Sequence, residues 1–599
     1  MRPRHRVAAA PRRRARHRRT GSLALAHWHW LTGSLAHWLT RLPEFRSSPV
    51  SLVSPVFPGG PGMVPSSHPA LERLANSVLQ PGFVGTTAPP DWLRRRIAEG
   101  LGAVVLFGRN IVTPEQVAVL TAALRAENPD LIIAVDEEAG DVTRMEAWTG
   151  ASRPGNLALG AVDDIDLTER VAHDIGRELH AAGVTLNYAP SADVNSNPLN
   201  PVIGVRSFGA RTDVVSRHTA AWIRGLQSAG VAACAKHFPG HGDTVVDPHF
   251  GLPQVGGGAE EIARTALPPF IAAMESGVRA VMTAHLLVPA YDPALPATLS
   301  PRILEDLLRG ELGFDGMVVT DGIEMGAVTD RYGIDGAAVM AVAGGVDAVC
   351  VGGENADRST VELLTNALVR AVLEGALPED RLAEASTRVR TFAAWSGAWS
   401  RTVARGPGTG GGSEVGLEAA RRAVRLSRRG FPATGPAPEA GAEPLLPLGA
   451  GTHVVELSPV MNPAVDGGTP WGVADPLRAL RPDTTSVRLT EPEASGSDDV
   501  LDRSALAPAR GRTLVVVVRD AARHRWMSEA LARLLRLRPD AVVVEMGVPT
   551  GAALGAVHLV THGATRVSGV AAAELLAGVP RHTTSRTLTA PGQVGTLVP

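Results

Sequence analysis

One alternation restricts the folds open to this chain more than any other feature. Between residues 66 and 400 it repeats a short apolar run, a polar loop and a helix-period segment. The apolar runs fall at 79–84, 103–107, 131–135, 184–188, 231–235, 280–283, 317–320 and 346–351, the first interrupted by Pro81 and Gly82. Between them, apolar residues recur at helical spacing over 114–126, 166–182, 214–228, 259–276, 301–308 and 360–374, several opened by a Thr, Asp or Ser suited to capping the first turn. Runs without polar alternation are strands buried on both faces, and strands that alternate with helices build parallel sheets. Eight such units predict an α/β fold, a (β/α)8 barrel of the TIM type, with its reactive groups at the C-terminal strand ends.

The barrel over 66–400 uses little more than half of the 599 residues. A Gly-rich stretch at 401–413 reads as a linker. Beyond it, apolar runs at 453–457, 486–489, 514–518, 541–545 and 558–561, with a helix over 521–535, predict a smaller α/β sandwich domain over 414–599. Residues 1–65 differ from both: nine Arg occupy the first 20 positions and no acid precedes Glu44, a pattern that builds no core and predicts a disordered extension. Its uncharged stretch 21–40 carries His27, His29 and His37, too polar for a membrane span and too long for a signal-peptide core. The expectation is a cytoplasmic monomer without a membrane partner, with export as the alternative.

The charge balance, 58 basic against 60 acidic residues, excludes the cationic excess of a nucleic-acid binder. Cys234 and Cys350 are the only cysteines and lie far apart within apolar runs, so neither a disulfide framework nor a thiolate zinc site is available. Lysine occurs once, at Lys236. A chain that otherwise uses Arg keeps one ammonium where a compact charge on a slender stem serves and a broad guanidinium does not.

The barrel rule singles out residues at the ends of the apolar runs: Asp136, Lys236 and His237, His285, and Asp321. The densest segment is Lys236-His237-Phe238-Pro239-Gly240-His241-Gly242-Asp243-Thr244, followed by Asp247-Pro248-His249. Its histidines at 237 and 241 have the spacing of a helical metal pair, but Pro239 and Gly240 break any helix there, and the first apolar run ends without an imidazole, so no metal or other cofactor is expected.

This segment resembles the signature of family 3 glycoside hydrolases of the β-N-acetylglucosaminidase type, and further blocks follow the family's order. Asp136-Glu137-Glu138-Ala139-Gly140 with Arg144 is similar to its sugar-binding stretch, and Asn187-Tyr188-Ala189-Pro190 and Gly204-Val205-Arg206-Ser207-Phe208-Gly209 to its next two blocks. The resemblance covers roughly 70–400 and departs at Glu137 (Gln in the family), Ala139 (Gly) and Pro248 (Ser). It implies Asp321 as nucleophile, His249 as acid/base supported by Asp247, and Asp136, Arg144, Arg206, Lys236 and His237 as ligands of a sugar.

A carboxylate attacking the anomeric carbon, then water attacking in turn, gives two inversions and net retention. The implied function is a retaining exo-β-N-acetylhexosaminidase acting on N-acetylglucosaminides, with peptidoglycan fragments as the natural substrate. Phosphorolysis of the same glycosides stays open, because a neutral imidazole does not repel phosphate as a carboxylate would. Attack by the substrate's own acetamide, assisted by Asp136 and Glu137, and an inactive sugar-binding protein also stay open.

Overall fold

The structure is a computed structural model that describes residues 68–580, apart from 354–356, 405, 407–411, 429–445, 450 and 496–497. The Arg-rich extension expected at 1–65 lies outside the described residues, as does part of the Gly-rich stretch.

The eight expected barrel strands form. They are β1 Leu79–Pro81, β2 Ala103–Leu106, β3 Ile132–Val135, β4 Leu186–Asn187, β5 Ala232–Phe238, β6 Ala280–Thr283, β7 Met317–Thr320 and β8 Val349–Val351. A parallel ladder runs from β2 through β7, with Ala103 opposite Ile132, Leu186 opposite Ala232 and Ala280 opposite Met317. A bridge from Val319 to Ala348 reaches the segment leading into β8, which pairs in parallel with β1. β1 packs beside β2 and so brings the curl round on itself.

Inward-facing Val105, Ile132, Ala134, Leu186, Cys234, Met282, Val319 and Cys350 fill the interior. Both cysteines are free and buried there. The helix Glu379–Thr402 closes the end where the strands begin, burying Val389, Phe392 and Ala393 against that core. The opposite rim is left to the loops.

The structure alters three local expectations. The segment 259–276 is two helices, Ala259–Thr265 and Pro268–Glu275, because Pro268 and Pro269 cannot donate to the preceding turn. The segment from 301 coils as a wide π-type helix, Arg302–Glu311. β5 runs beyond its apolar residues to Phe238, so Lys236 and His237 sit on the strand itself.

In the second domain, β9 Arg425–Arg428, β10 Thr452–Leu457, β11 Thr485–Leu489, β12 Thr513–Val518, β13 Val542–Glu545 and β14 Val557–Val560 form one sheet in the order β9-β14-β13-β12-β10-β11. All pairings are parallel except that of β9, an antiparallel edge strand. β12 alternates its valines between two cores, Val515 and Val517 on one face and Val516 and Val518 on the other, each covered by helices. The helix expected over 521–535 begins later, as Arg525–Leu537. Among the described residues no helix is long and apolar enough to cross a membrane.

Candidate active site

Lys236 organises the rim of the barrel. Its ammonium, 1% exposed, lies 2.6 Å from Asp136 Oδ1 and 2.7 Å from Glu138 Oε1. Glu138 also receives Arg206 side-on, Nε at 2.9 Å from Oε2 and Nη2 at 2.6 Å from Oε1. Burial opposes charge at Glu138 and at Lys236, but the pairing wins: Glu138 is held well below the usual carboxylate range by Arg206 and Lys236, and Lys236 is raised by Asp136 and Glu138. Two cations and two carboxylates thus compensate one another around the ends of β3 and β5, with Glu138, Lys236 and the Arg206 brought by the segment after β4 buried and Asp136 partly exposed.

Asp193, in the loop after β4, orders the next group. Its Oδ2 accepts His237 Nδ1 at 2.7 Å, and its Oδ1 accepts the N–H groups of His237 and His241 at 3.2 and 2.7 Å. That leaves His237 Nε2 turned towards Asp321, 3.9 Å from its Oδ2, with Arg206 Nη2 3.4 Å from the same nitrogen. Asp321 follows β7 and accepts the N–H of Gly322 at 2.8 Å. Burial works against its charge, yet His237, His285, that N–H and Lys236 together lower its carboxyl to about 2.

His285, after β6, bonds Thr298 Oγ1 through Nδ1 at 2.8 Å and the Gly322 carbonyl through Nε2 at 2.9 Å. With both nitrogens committed, it braces the Asp321 turn.

The loop after β5 brings His249 to this rim. Its Nδ1 lies 2.7 Å from Asp247 Oδ1, which also accepts the His249 N–H at 3.0 Å. The Pro248 carbonyl accepts the N–H of Ala327, which seats the loop on the helix after Asp321. Burial lowers the affinity of His249 for its proton, but Asp247 and then Asp321 outweigh it and raise the imidazole above its ordinary value. The negative charge of Asp321 is thus one of the two that favour a protonated His249.

Of the residues singled out from sequence, Asp136, Arg206, Lys236, His237 and Asp321 meet in this network, while Asp247 and His249 pair with each other on the loop after β5, which is seated on the helix that follows Asp321. Arg144 is placed differently: its Nη2 donates to the Ala464 carbonyl in the second domain at 3.0 Å. Glu137 accepts the N–H groups of Ala139, Arg144 and Met145 and the Thr143 hydroxyl. A carboxylate, acceptor-only, meets those four donors better than the family's Gln, although burial pushes its carboxyl up to about 7.

Sequence reasoning singled out neither Asp193 nor Asn462, and took Glu138 only as a member of the sugar-binding stretch that the resemblance implies. Asp193 and Glu138 carried the same signal as the others, an acid just past a strand end. Asn462 carried none. Among the described residues no three His, Cys, Asp or Glu side chains group as metal ligands.

The family model described as the glycosyl hydrolase family 3 N terminal domain matches residues 90–392. Over 286 residues the chain is 38% identical to beta-hexosaminidase A of Pseudoalteromonas piscicida, covering 44% of this chain and 47%, about half, of that protein. It is 38% identical over 277 residues to a beta-hexosaminidase of Alkalilimnicola ehrlichii, covering 45% of this chain and 79% of the relative. A glycoside hydrolase family 3 beta-N-acetylglucosaminidase from a Paenibacillus species superposes with a TM-score of 0.75 at 32% identity, covering 85% of this chain and 96% of that one.

Proposed function

This chain belongs to glycosyl hydrolase family 3 and is a glycoside hydrolase, and from that premise we propose that it is a retaining exo-β-N-acetylhexosaminidase releasing terminal N-acetylglucosamine. The observation that carries the reading is the placement of Asp321 at the end of β7 beside the loop on which Asp247 holds His249 at 2.7 Å, a loop seated by the Ala327 N–H on the helix after Asp321; in keeping with it, the carboxyl of Asp321 is lowered and the imidazole of His249 raised. One is ionised and ready to attack, and the other keeps a proton to give.

In the first step an Asp321 oxygen attacks C1 as the C1–O bond to the leaving group breaks, and His249 Nε2 donates its proton to the departing oxygen. In the second, neutral His249 takes a proton from water, the water oxygen attacks C1, and the Asp321 carboxylate departs, restoring the starting configuration. Asp247 keeps Nδ1 occupied throughout, so the exchanged proton is the one on Nε2. Asp136, Lys236, Arg206 and His237 are assigned to the sugar, where charged donors and acceptors fix the ring for in-line attack, and Arg144, whose Nη2 is held by the Ala464 carbonyl, would join them through its remaining N–H groups. The proposal extends to peptidoglycan fragments as natural substrate and to a monomer acting in the cytoplasm.

The test is release from aryl β-N-acetylglucosaminide and from the corresponding β-glucoside, with wild type and Asp321→Ala. Preference for the acetamido sugar and a loss of about a thousandfold or more in kcat for the variant are expected. Undiminished activity after Asp321→Ala would overturn the nucleophile. Sugar 1-phosphate accumulating in phosphate buffer would replace hydrolysis by phosphorolysis. For His249→Ala, turnover of substrates with poor leaving groups falls by about a hundredfold or more and that of activated aryl glycosides far less. Equal losses would remove His249 from the acid role.

A further inference from the structure

The segment 458–470 joins β10 to the helix Ala474–Leu480 of the second domain, and it crosses to the barrel rim. Asn462 donates through Nδ2 to Asp247 Oδ2 at 2.8 Å and to the Pro201 carbonyl at 3.0 Å. Its Oδ1 accepts the N–H of Ala464 at 2.8 Å. That last bond fixes the amide's orientation, since only the oxygen can take an N–H, so the NH2 group must face the carboxylate. The Ala464 carbonyl in turn holds Arg144. One segment of the second domain thus reaches both the acid/base pair and the sugar-binding stretch.

The two oxygens of Asp247 are divided between two tasks. Oδ1 takes the ring and backbone of His249, and Oδ2 takes Asn462. Asp247 and His249 sit two residues apart on one loop, so their mutual bond cannot say where the pair points. Direction must come from outside the loop. Among the described residues, the hydrogen bonds that tie 245–250 to other elements are the Ala327 N–H on the Pro248 carbonyl and the Asn462 amide on Asp247. Only the second acts on a side chain of the pair.

We propose that Asn462 is a positioning residue for the Asp247–His249 pair: by holding Asp247 Oδ2 it sets the direction in which Oδ1 presents the imidazole, and so aims His249 Nε2 at the leaving-group oxygen. The proposal rests on the acid/base reading of His249 given above. It gives the second domain a part in the chemistry, exerted through one amide and without contact to the sugar.

The test uses the full chain and a series of β-N-acetylglucosaminides graded from nitrophenyl to alkyl leaving groups. Asn462→Ala should lower kcat/KM about tenfold for alkyl glycosides and little for nitrophenyl. In a His249→Ala background the same substitution should add nothing, because the group it aims is gone. A loss equal across leaving groups, or one that persists in the His249→Ala background, would overturn the proposal and reduce Asn462 to a structural contact. Wild-type kinetics in Asn462→Ala would overturn it as well.

Should Asn462→Ala melt early, Asn462→Asp keeps the acceptor for Ala464 and replaces the donor to Asp247 by a repelling carboxylate. It must show the same leaving-group-dependent loss, and a uniform loss or none overturns the proposal. If His249→Ala itself shows no leaving-group dependence, the acid/base reading falls and takes this inference with it. If His249→Ala shows that dependence and the Asn462 variants do not, Asn462 alone is misassigned.

Discussion

At the scale of single residues, Lys236 explains its own rarity. Its ammonium occupies a buried slot bounded by Asp136 and Glu138, with Arg206 already paired to both oxygens of Glu138. A second guanidinium is too broad for that slot. Lys236→Arg should therefore keep the charge and still lower kcat/KM about a hundredfold, read with the aryl β-N-acetylglucosaminide. The pH dependence follows from the shifts at Asp321 and His249. Asp321, lowered to about 2, stays ionised throughout the working range. His249 is raised, so its protonated form persists above the ordinary imidazole value and is lost as pH rises through the raised value. With an alkyl glycoside, kcat/KM should hold on the acid side and fall on the basic side with a single proton, and His249→Ala should lack that basic limb. The identities of these residues were legible in the sequence because chemistry-bearing side chains stood at the ends of apolar runs. Their partners were less so, since Asp193 reaches His237 only once β4 and β5 lie side by side.

At the scale of elements, the turn after β3 shows how a local departure from the family pattern is accommodated. Ala139 and Gly140 both take left-handed conformations, with φ of 60° and 73°. Glycine accepts that region freely, and an L side chain pays about 1 kcal/mol or more for it. Ala139→Gly should raise the thermal midpoint and stabilise the fold by about 1 kcal/mol, with Glu137 still seated on its donors. A tighter constraint holds the Arg206 turn. Gly160, in the helix Asn156–Val162, lies so close to that segment that a Cβ there would come within 1.8 Å of the Phe208 carbonyl. Asn156 of the same helix donates to the Arg206 carbonyl at 2.7 Å. Gly160→Ala should push the turn outward, raise KM, and cost about 1–3 kcal/mol of stability, measured by chemical denaturation. Element boundaries were misjudged where polar residues were buried in pairs. The apolar pattern stopped at Ala235 because it cannot register a lysine and a histidine whose charges are met by carboxylates, yet the strand continues through both. β9, with Arg425 and Arg428 at its ends, gave no apolar signal at all because an edge strand need bury little.

At the scale of the whole molecule, the second domain is tied to the turn after β3 by a buried ion pair. Arg519 Nη2 lies 2.6 Å from Asp141 Oδ2, and the Ala564 N–H donates to the other oxygen at 2.9 Å. Removing the guanidinium leaves a carboxylate buried without its countercharge. Arg519→Ala should therefore cost about 3–5 kcal/mol, read as a lowered melting temperature, with Asp141→Asn/Arg519→Met recovering much of it. The succession of eight buried strands, the reactive groups at their C-terminal ends and the solitary lysine were written in the order of residues, because burial on both faces and the end of a strand are local properties of the chain. Which nitrogen of His237 faces Asp321, how Glu138 is shared between Lys236 and Arg206, and that an amide from the far side of the Gly-rich stretch grips Asp247 were settled only by the assembled fold. Contacts between segments tens to hundreds of residues apart depend on distances that no spacing along the chain encodes.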